Sequence, residues 1–105
     1  MYVTFEKTYL QELYEQGQTE DKKHRYQPDI VRRYQSCIDL MYSVPDVVSL
    51  AKYNSLHYEV LRGDKAGISS IRVNNKYRIE FTVIDGIEES TVTVCNIIEL
   101  SNHYK

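Results

Sequence analysis

Apolar and polar positions change period about halfway along the chain, and the elements they predict change with them. Tyr2 to Phe5 read as a short opening strand. Thr8 and Gln11 match the S/T-x-x-E/Q capping box, in which each side chain satisfies an orphan backbone donor. Tyr9, Leu10, Leu13 and Tyr14 then fall on one helical face, and Gly17 is the expected stop. A polar stretch, Gln18 to Gln27, leads to Pro28 at a first helical position and Asp29 at the positive end of the dipole. Ile30, Val31, Tyr34, Ile38, Met41 and Tyr42 recur at helical spacing, with Arg32, Arg33 and Asp39 off that face. Pro45 and Asp46 repeat the start signal before a short third helix, Val47 to Tyr53.

From Leu56 the period shortens to two. His57 is expected to begin the first strand after the helices. Ile71 and Val73 alternate with Ser70 and Arg72, and Tyr77, Ile79, Phe81 and Val83 alternate with Arg78, Glu80 and Thr82. Asn74 and Asn75 between them are turn residues, and Asp85-Gly86 marks a second hairpin leading into Thr91 to Leu100. Helices first and hairpins second argue for an α+β fold. With 105 residues and neither repeat nor linker, residues 1–105 are expected to form a single domain.

The first hairpin carries a sharper inference. Val73 and Tyr77 share a core face only if cross-strand pairs share an even index sum. A three-residue loop of Asn74, Asn75 and Lys76 then places Arg72 directly opposite Arg78, away from the apolar residues. Like charges directly opposite are destabilising, so an anion should be nearby. Glu80 offers a surface salt-bridge cluster; a bound phosphate, held by charge-assisted guanidinium bonds, offers the other solution.

Composition changes this picture only in part. The apolar runs are far short of a membrane span, and Glu6 and Lys7 interrupt any hydrophobic start, so no export signal is expected. Cys37 and Cys95 lack CxxC spacing and are expected to be reduced core thiols of a cytoplasmic protein. The net charge of -2 offers no overall attraction to nucleic acid, but residues 22–33 hold five cations against Asp29. Residues 62–78 hold five more, Arg62, Lys65, Arg72, Lys76 and Arg78, against Asp64. A solvated face suffices for the first stretch.

His24 lies in a polar loop and is expected to be exposed, whereas His57 and His103 flank the strands that carry the arginines. No HxxxH or CxxC spacing supports a metal, and no cofactor is expected. Two histidines, several arginines and a tyrosine suit metal-independent cleavage of an RNA phosphodiester. A base takes the proton of the attacking 2′-hydroxyl, an acid protonates the 5′-oxygen, and cations stabilise the phosphoryl charge.

These residues also carry a resemblance. Leu56-His57, Arg62-Gly63-Asp64-Lys65-x-Gly67, Ser70-Ile71-Arg72-Val73-Asn74 and Tyr77-Arg78-Ile79-x-Phe81 resemble the HigB branch of the RelE-like toxins of type II toxin–antitoxin systems. The ending His103-Tyr104-Lys105 is similar to the His- and Tyr-containing tails of that superfamily. Two extra residues separate His57 from the Gly-Asp turn, and Tyr77 replaces a commoner tryptophan. The resemblance implies two to three N-terminal helices on a twisted, antiparallel-rich sheet and a ribosome-dependent mRNA endoribonuclease. It implies a cognate antitoxin, a HigA-like helix-turn-helix protein, with the ribosome and mRNA as further partners and no membrane. By position it implies Arg78 as a phosphate-stabilising group, Arg62 as the basic residue before the Gly-Asp turn, His57 as the histidine at the strand start, and His103 and Tyr104 as acid, base or stacking groups. The hairpin register adds Arg72 beside Arg78 at the phosphate, with His57 or His103 as base or acid. Lys22, Lys23, Arg25, Lys65, Lys76 and Lys105 are the expected RNA contacts. A same-fold toxin of ParE type acting on DNA gyrase, or a non-catalytic toxin that only binds its antitoxin, would share the fold.

Overall fold

The computed structural model describes residues 1–84 and 92–102. In chain order the elements are β1 (Tyr2–Phe5), α1 (Thr8–Gln16), α2 (Pro28–Ser43), α3 (Val47–Ala51), β2 (Glu59–Val60), β3 (Ser69–Arg72), β4 (Arg78–Ile84) and β5 (Val94–Ser101). Short 3-10 turns occupy Lys22–His24, Asn54–Leu56 and Gly63–Lys65. The α+β class read from the change of period is the observed one.

The strands form one five-stranded sheet in the order β1-β5-β4-β3-β2. Every neighbouring pair is antiparallel except β1 and β5, which run parallel with Tyr2 beside Val94 and Phe5 beside Ile97. That one parallel pairing brings the two ends of the chain together, a long-range contact that no local pattern encodes. Between Glu80 and Phe81 the β4–β5 register shifts by one, so that Glu99 faces Glu80 and Ile97 faces Phe81, a bulge of the kind that locally sharpens strand twist.

α1 and α2 pack on each other and against β1, and α1 also meets β5. Leu10, Leu13, Ile38, Met41, Ile71, Ile79, Phe81 and Ile97 are completely or almost completely buried there, each contributing about 1.5–3 kcal/mol of transfer free energy. Tyr34 enters the same core because its hydroxyl donates to the Leu10 carbonyl at 2.8 Å; burial raises its pKa. Tyr42, placed on this face by its spacing, is exposed instead, with its hydroxyl donating to the Val3 carbonyl at 3.3 Å. Cys37 and Cys95 are buried free thiols, as expected.

Helix starts are legible in the sequence at two of three places. Pro28 opens α2, and the Asp46 side chain accepts from the Ser49 backbone N–H at 2.8 Å to cap α3. The Thr8–Gln11 capping box does not form. α1 begins one residue earlier in register, Lys7 is its N-cap without a side-chain bond, and Gln11 donates to Glu15 instead. Gly17 ends α1 in a left-handed conformation, donating to the Leu13 carbonyl. His24 is not simply exposed: its ring stacks on Tyr9 at 3.6 Å between centroids, and its Nδ1 lies 2.9 Å from Asp21. That bond and the Lys23 N–H hold the Asp21 carboxyl below its usual range. Asp85-Gly86 lies outside the described residues; the strands on either side of it pair antiparallel.

Candidate functional site

The β3–β4 register is the one the parity of the apolar positions requires. Ile71 pairs with Ile79, Arg72 with Arg78, and Val73 N–H closes the turn on the Tyr77 carbonyl at 3.0 Å. Asn74 Oδ1 accepts from the N–H groups of both Lys76 and Tyr77 at 2.8 Å, which fixes the three-residue loop without demanding glycine.

The two arginines nevertheless occupy different environments. Arg78 is 6% exposed. Its Nε donates to Ser70 Oγ, and its Nη2 donates to the His57 carbonyl and to the Ser70 carbonyl, the last at 3.2 Å. Glu59 Oε1 lies 3.7 Å away. Glu80, expected in a surface salt-bridge cluster, is buried and pairs with Lys65 at 2.9 Å. The sheet face away from the helices is therefore not bare there. The β2–β3 connection folds over it through two left-handed glycines, Gly63 at φ 69° and Gly67 at φ 85°. Only a residue without Cβ adopts such φ values at little cost.

His57 does not begin a strand. It follows the Asn54–Leu56 turn in a left-handed conformation (φ 46°, ψ 52°), and β2 starts two residues later at Glu59. A non-glycine residue pays about 1–2 kcal/mol to sit there, and the Arg78 bond to its carbonyl offsets part of that cost. The conformation leaves the ring exposed, with Nε2 3.4 Å from Arg72 Nη1. A guanidinium can only donate, so this contact makes Nε2 the accepting nitrogen and puts the ring proton on Nδ1. The other arm of Arg72, Nη2, donates to Asn75 Oδ1. The half-exposed Arg72 is thus held between His57 and the hairpin turn, while Arg78 holds the His57 backbone from below.

Three clefts open around this pair. His57, Arg72, Arg33 and Cys37 line one of about 450 Å³. Arg33, Arg72, Lys76 and Tyr77 line a second, of about 650 Å³. Arg62, Lys65, Arg78, Glu59 and Ser70 line a third, of about 220 Å³. The Cys37 thiol is no nucleophile for the first cleft, because burial pushes it up to about 11. Among the described residues no group of three His, Cys, Asp or Glu side chains could hold a metal ion. What the arrangement offers is guanidinium groups, an imidazole acceptor and a carboxylate, which together suit anion binding and proton transfer.

Of the residues singled out from sequence, His57, Arg62, Lys65, Arg72, Lys76 and Arg78 come together on these clefts. Lys22, Lys23 and Arg25 do not: they are exposed around the Lys22–His24 turn, where Lys22 and Arg25 line a separate cleft with Glu12 and Glu20. His103, Tyr104 and Lys105 lie outside the described residues. Ser101, shortly before them, pairs with Arg78 across the sheet, so the chain leaves β5 beside that arginine. Two residues of the clefts are not singled out by the sequence. By its spacing Arg33 belongs only to the polar side of α2, although its place in a basic stretch is a signal. Glu59, 53% exposed at its side chain and close to Arg78, gives none, because a lone glutamate at a strand start stands out in no pattern.

The family model of the RelE-like toxin of the type II toxin–antitoxin system HigB matches residues 3–93. No curated protein matches the chain. Among solved structures the chain is similar to the YoeB/ParE toxin from Agrobacterium tumefaciens. The TM-score is 0.56, with 17% identity, 99% of this chain covered and 100% of that one. At that identity the likeness bears on the fold, which is the RelE/YoeB type.

Proposed function

The chain belongs to the family of RelE-like HigB toxins of type II toxin–antitoxin systems, and from that premise we propose that it is a ribosome-dependent mRNA endoribonuclease. Membership implies an antitoxin partner; we take that partner to be a HigA-like helix-turn-helix protein and the site of action to be the ribosome in the cytoplasm. The observation that carries the nuclease reading is the Arg72 guanidinium 3.4 Å from the accepting Nε2 of His57 in an open cleft. A phosphate bound by Arg72 would draw the guanidinium off Nε2 and free that lone pair for the proton of the neighbouring 2′-hydroxyl.

In this mechanism His57 Nε2 takes the 2′-hydroxyl proton while that oxygen attacks the adjacent phosphorus. Glu59, in the cleft with Arg62 and Arg78, is a second acceptor within the same face. Arg72, with Arg62 and Arg78 behind it, stabilises the charge developing on the phosphoryl oxygens. His103 protonates the departing 5′-oxygen, leaving a 2′,3′-cyclic phosphate and a free 5′-hydroxyl, and Tyr104 stacks on an adjoining base. The reaction uses proton transfer and guanidinium charge and needs no metal. Lys65, Lys76 and Lys105 contact the strand near the cleft, and Lys22, Lys23 and Arg25 contact ribosomal RNA away from it.

Primer extension on mRNA in a translating extract, with and without ribosomes, tests this. Wild type should cut within codons only when ribosomes are present, and Arg72→Ala should not cut. Undiminished cutting by Arg72→Ala would sink the assignment. Intact message with a supercoiling defect would move the protein to the gyrase-directed class.

A further inference from the structure

Arg33 stands on the exposed side of α2 and lines both clefts that Arg72 lines. The two clefts therefore join into one trough, with α2 as one wall and the β3–β4 hairpin as the other. Lys76, at the hairpin turn, lines its outer part together with Asn75 and Tyr77. Among the described residues the side chains of Arg33 and Lys76 have no ion-pair partner and no hydrogen-bond acceptor. Asp29 is the one acid lining the trough among them. Lys65, on the other side of Arg72, contrasts with them, since Glu80 neutralises it at 2.9 Å. Three cations facing a common open trough with little countercharge repel one another, and an anion relieves that repulsion. The trough suits an extended polyanion, because Arg72 spans it from His57 to Asn75 of the turn and Lys76 and Arg33 add charge along its outer part.

We propose that Arg33 and Lys76 form a second phosphate subsite, which grips single-stranded RNA one step along the backbone from the phosphate held by Arg72. The subsite binds substrate and transition state alike, since it lies away from the reacting bonds. This inference rests on the nuclease reading for the identity of the first phosphate.

The test is the binding of a 2′-O-methylated single-stranded RNA oligonucleotide, which cannot be cleaved, followed by fluorescence anisotropy over a range of salt concentrations. Wild type, Arg33→Ala, Lys76→Ala and Arg32→Ala are compared. Leaving one phosphate of a single strand without its cation flattens the plot of log Kobs against log salt by about 0.7. Arg33→Ala and Lys76→Ala should each show that change and about fivefold weaker binding. In cleavage assays both should raise KM with kcat unchanged, the mark of uniform binding. Arg32→Ala removes the same charge one residue away but off the trough, and should leave the slope as in wild type. Equal losses in Arg32→Ala, unchanged slopes in the other two, or no binding by wild type would each overturn the subsite. A wild-type protein that never cuts RNA yet shows the Arg33- and Lys76-dependent slope would refute the nuclease reading and leave the subsite standing.

Discussion

Arg72 and Arg78 face each other across one hairpin, yet a substitution at each should show in a different measurement. Arg72 is half-exposed and holds no buried partner, so Arg72→Lys should leave thermal unfolding unchanged. Lysine keeps the charge but loses the planar fork that spans His57 and a phosphate, and cleavage should fall about a hundredfold. Retained activity in Arg72→Lys would show that charge alone suffices. Arg78→Ala should instead destabilise by about 2–4 kcal/mol, because it strips buried partners at Ser70 and the His57 carbonyl. Urea unfolding with an unchanged m-value checks this, and a loss below about 0.5 kcal/mol would mean those bonds contribute nothing. The pairing of these arginines is legible from the parity of Val73 and Tyr77, since a one-residue slip would turn every side chain over. Their unequal burial is not, because it depends on β2 and the Gly63–Gly67 connection folding across the sheet. Cys37 belongs to the same lesson. Its thiol at about 11 leaves about a thousandth of it ionised at pH 8, so native protein should resist alkylation that unfolded protein accepts readily.

At the scale of elements, α1 and α2 are linked by a bond whose pH dependence can be worked out. Tyr14 donates to Asp39 at 2.5 Å, and that bond, with burial, pushes the phenol up to about 12 from 10.0. A raised value means that the neutral form is the one favoured in the folded chain. The stabilisation is therefore fully present below pH 10 and is lost as pH rises through about 12. The difference in unfolding free energy between wild type and Tyr14→Phe should be flat up to pH 10 and shrink above it; a difference growing with pH would refute the link. The β2–β3 connection offers a second element-scale test. A Cβ at Gly63 would meet nothing within 4 Å, so Gly63→Ala is opposed by the left-handed backbone alone, at about 1–2 kcal/mol. Long periodic elements such as α2 are legible because sixteen residues repeat one signal. The α1 start is not, since a capping box competes with neighbouring frames only one residue apart, and there Gln11 bonds down the helix to Glu15.

For the whole molecule, the topology separates what holds the fold from what is proposed to do the chemistry. The parallel β1–β5 pair forms one edge of the sheet, and the core lies between that sheet and α1 and α2. The clefts lie around the other margin, where β3, the hairpin turn and the β2–β3 connection meet. The last β5 residue, Ser101, is paired with Arg78, and Tyr26 and Tyr9 grip the residue before it: the Tyr26 hydroxyl donates to the Leu100 carbonyl at 3.0 Å, and the Leu100 N–H donates to the Tyr9 oxygen at 3.5 Å. β5 is thus anchored on both backbone groups immediately before the chain passes Arg78. These contacts are all made by residues that a chain lacking 103–105 keeps, so its unfolding midpoint should stay within about 1 °C of wild type. Cleavage should nevertheless fall at least about a hundredfold if His103 supplies the leaving-group proton. His103→Gln in the full chain should reproduce most of that fall, whereas Tyr104→Phe should keep most of the stacking and lose less. A truncated chain that still cuts at the wild-type rate would assign the acid to the clefts around Arg72 and Arg78, where Glu59 and His57 are two of the groups able to carry a proton.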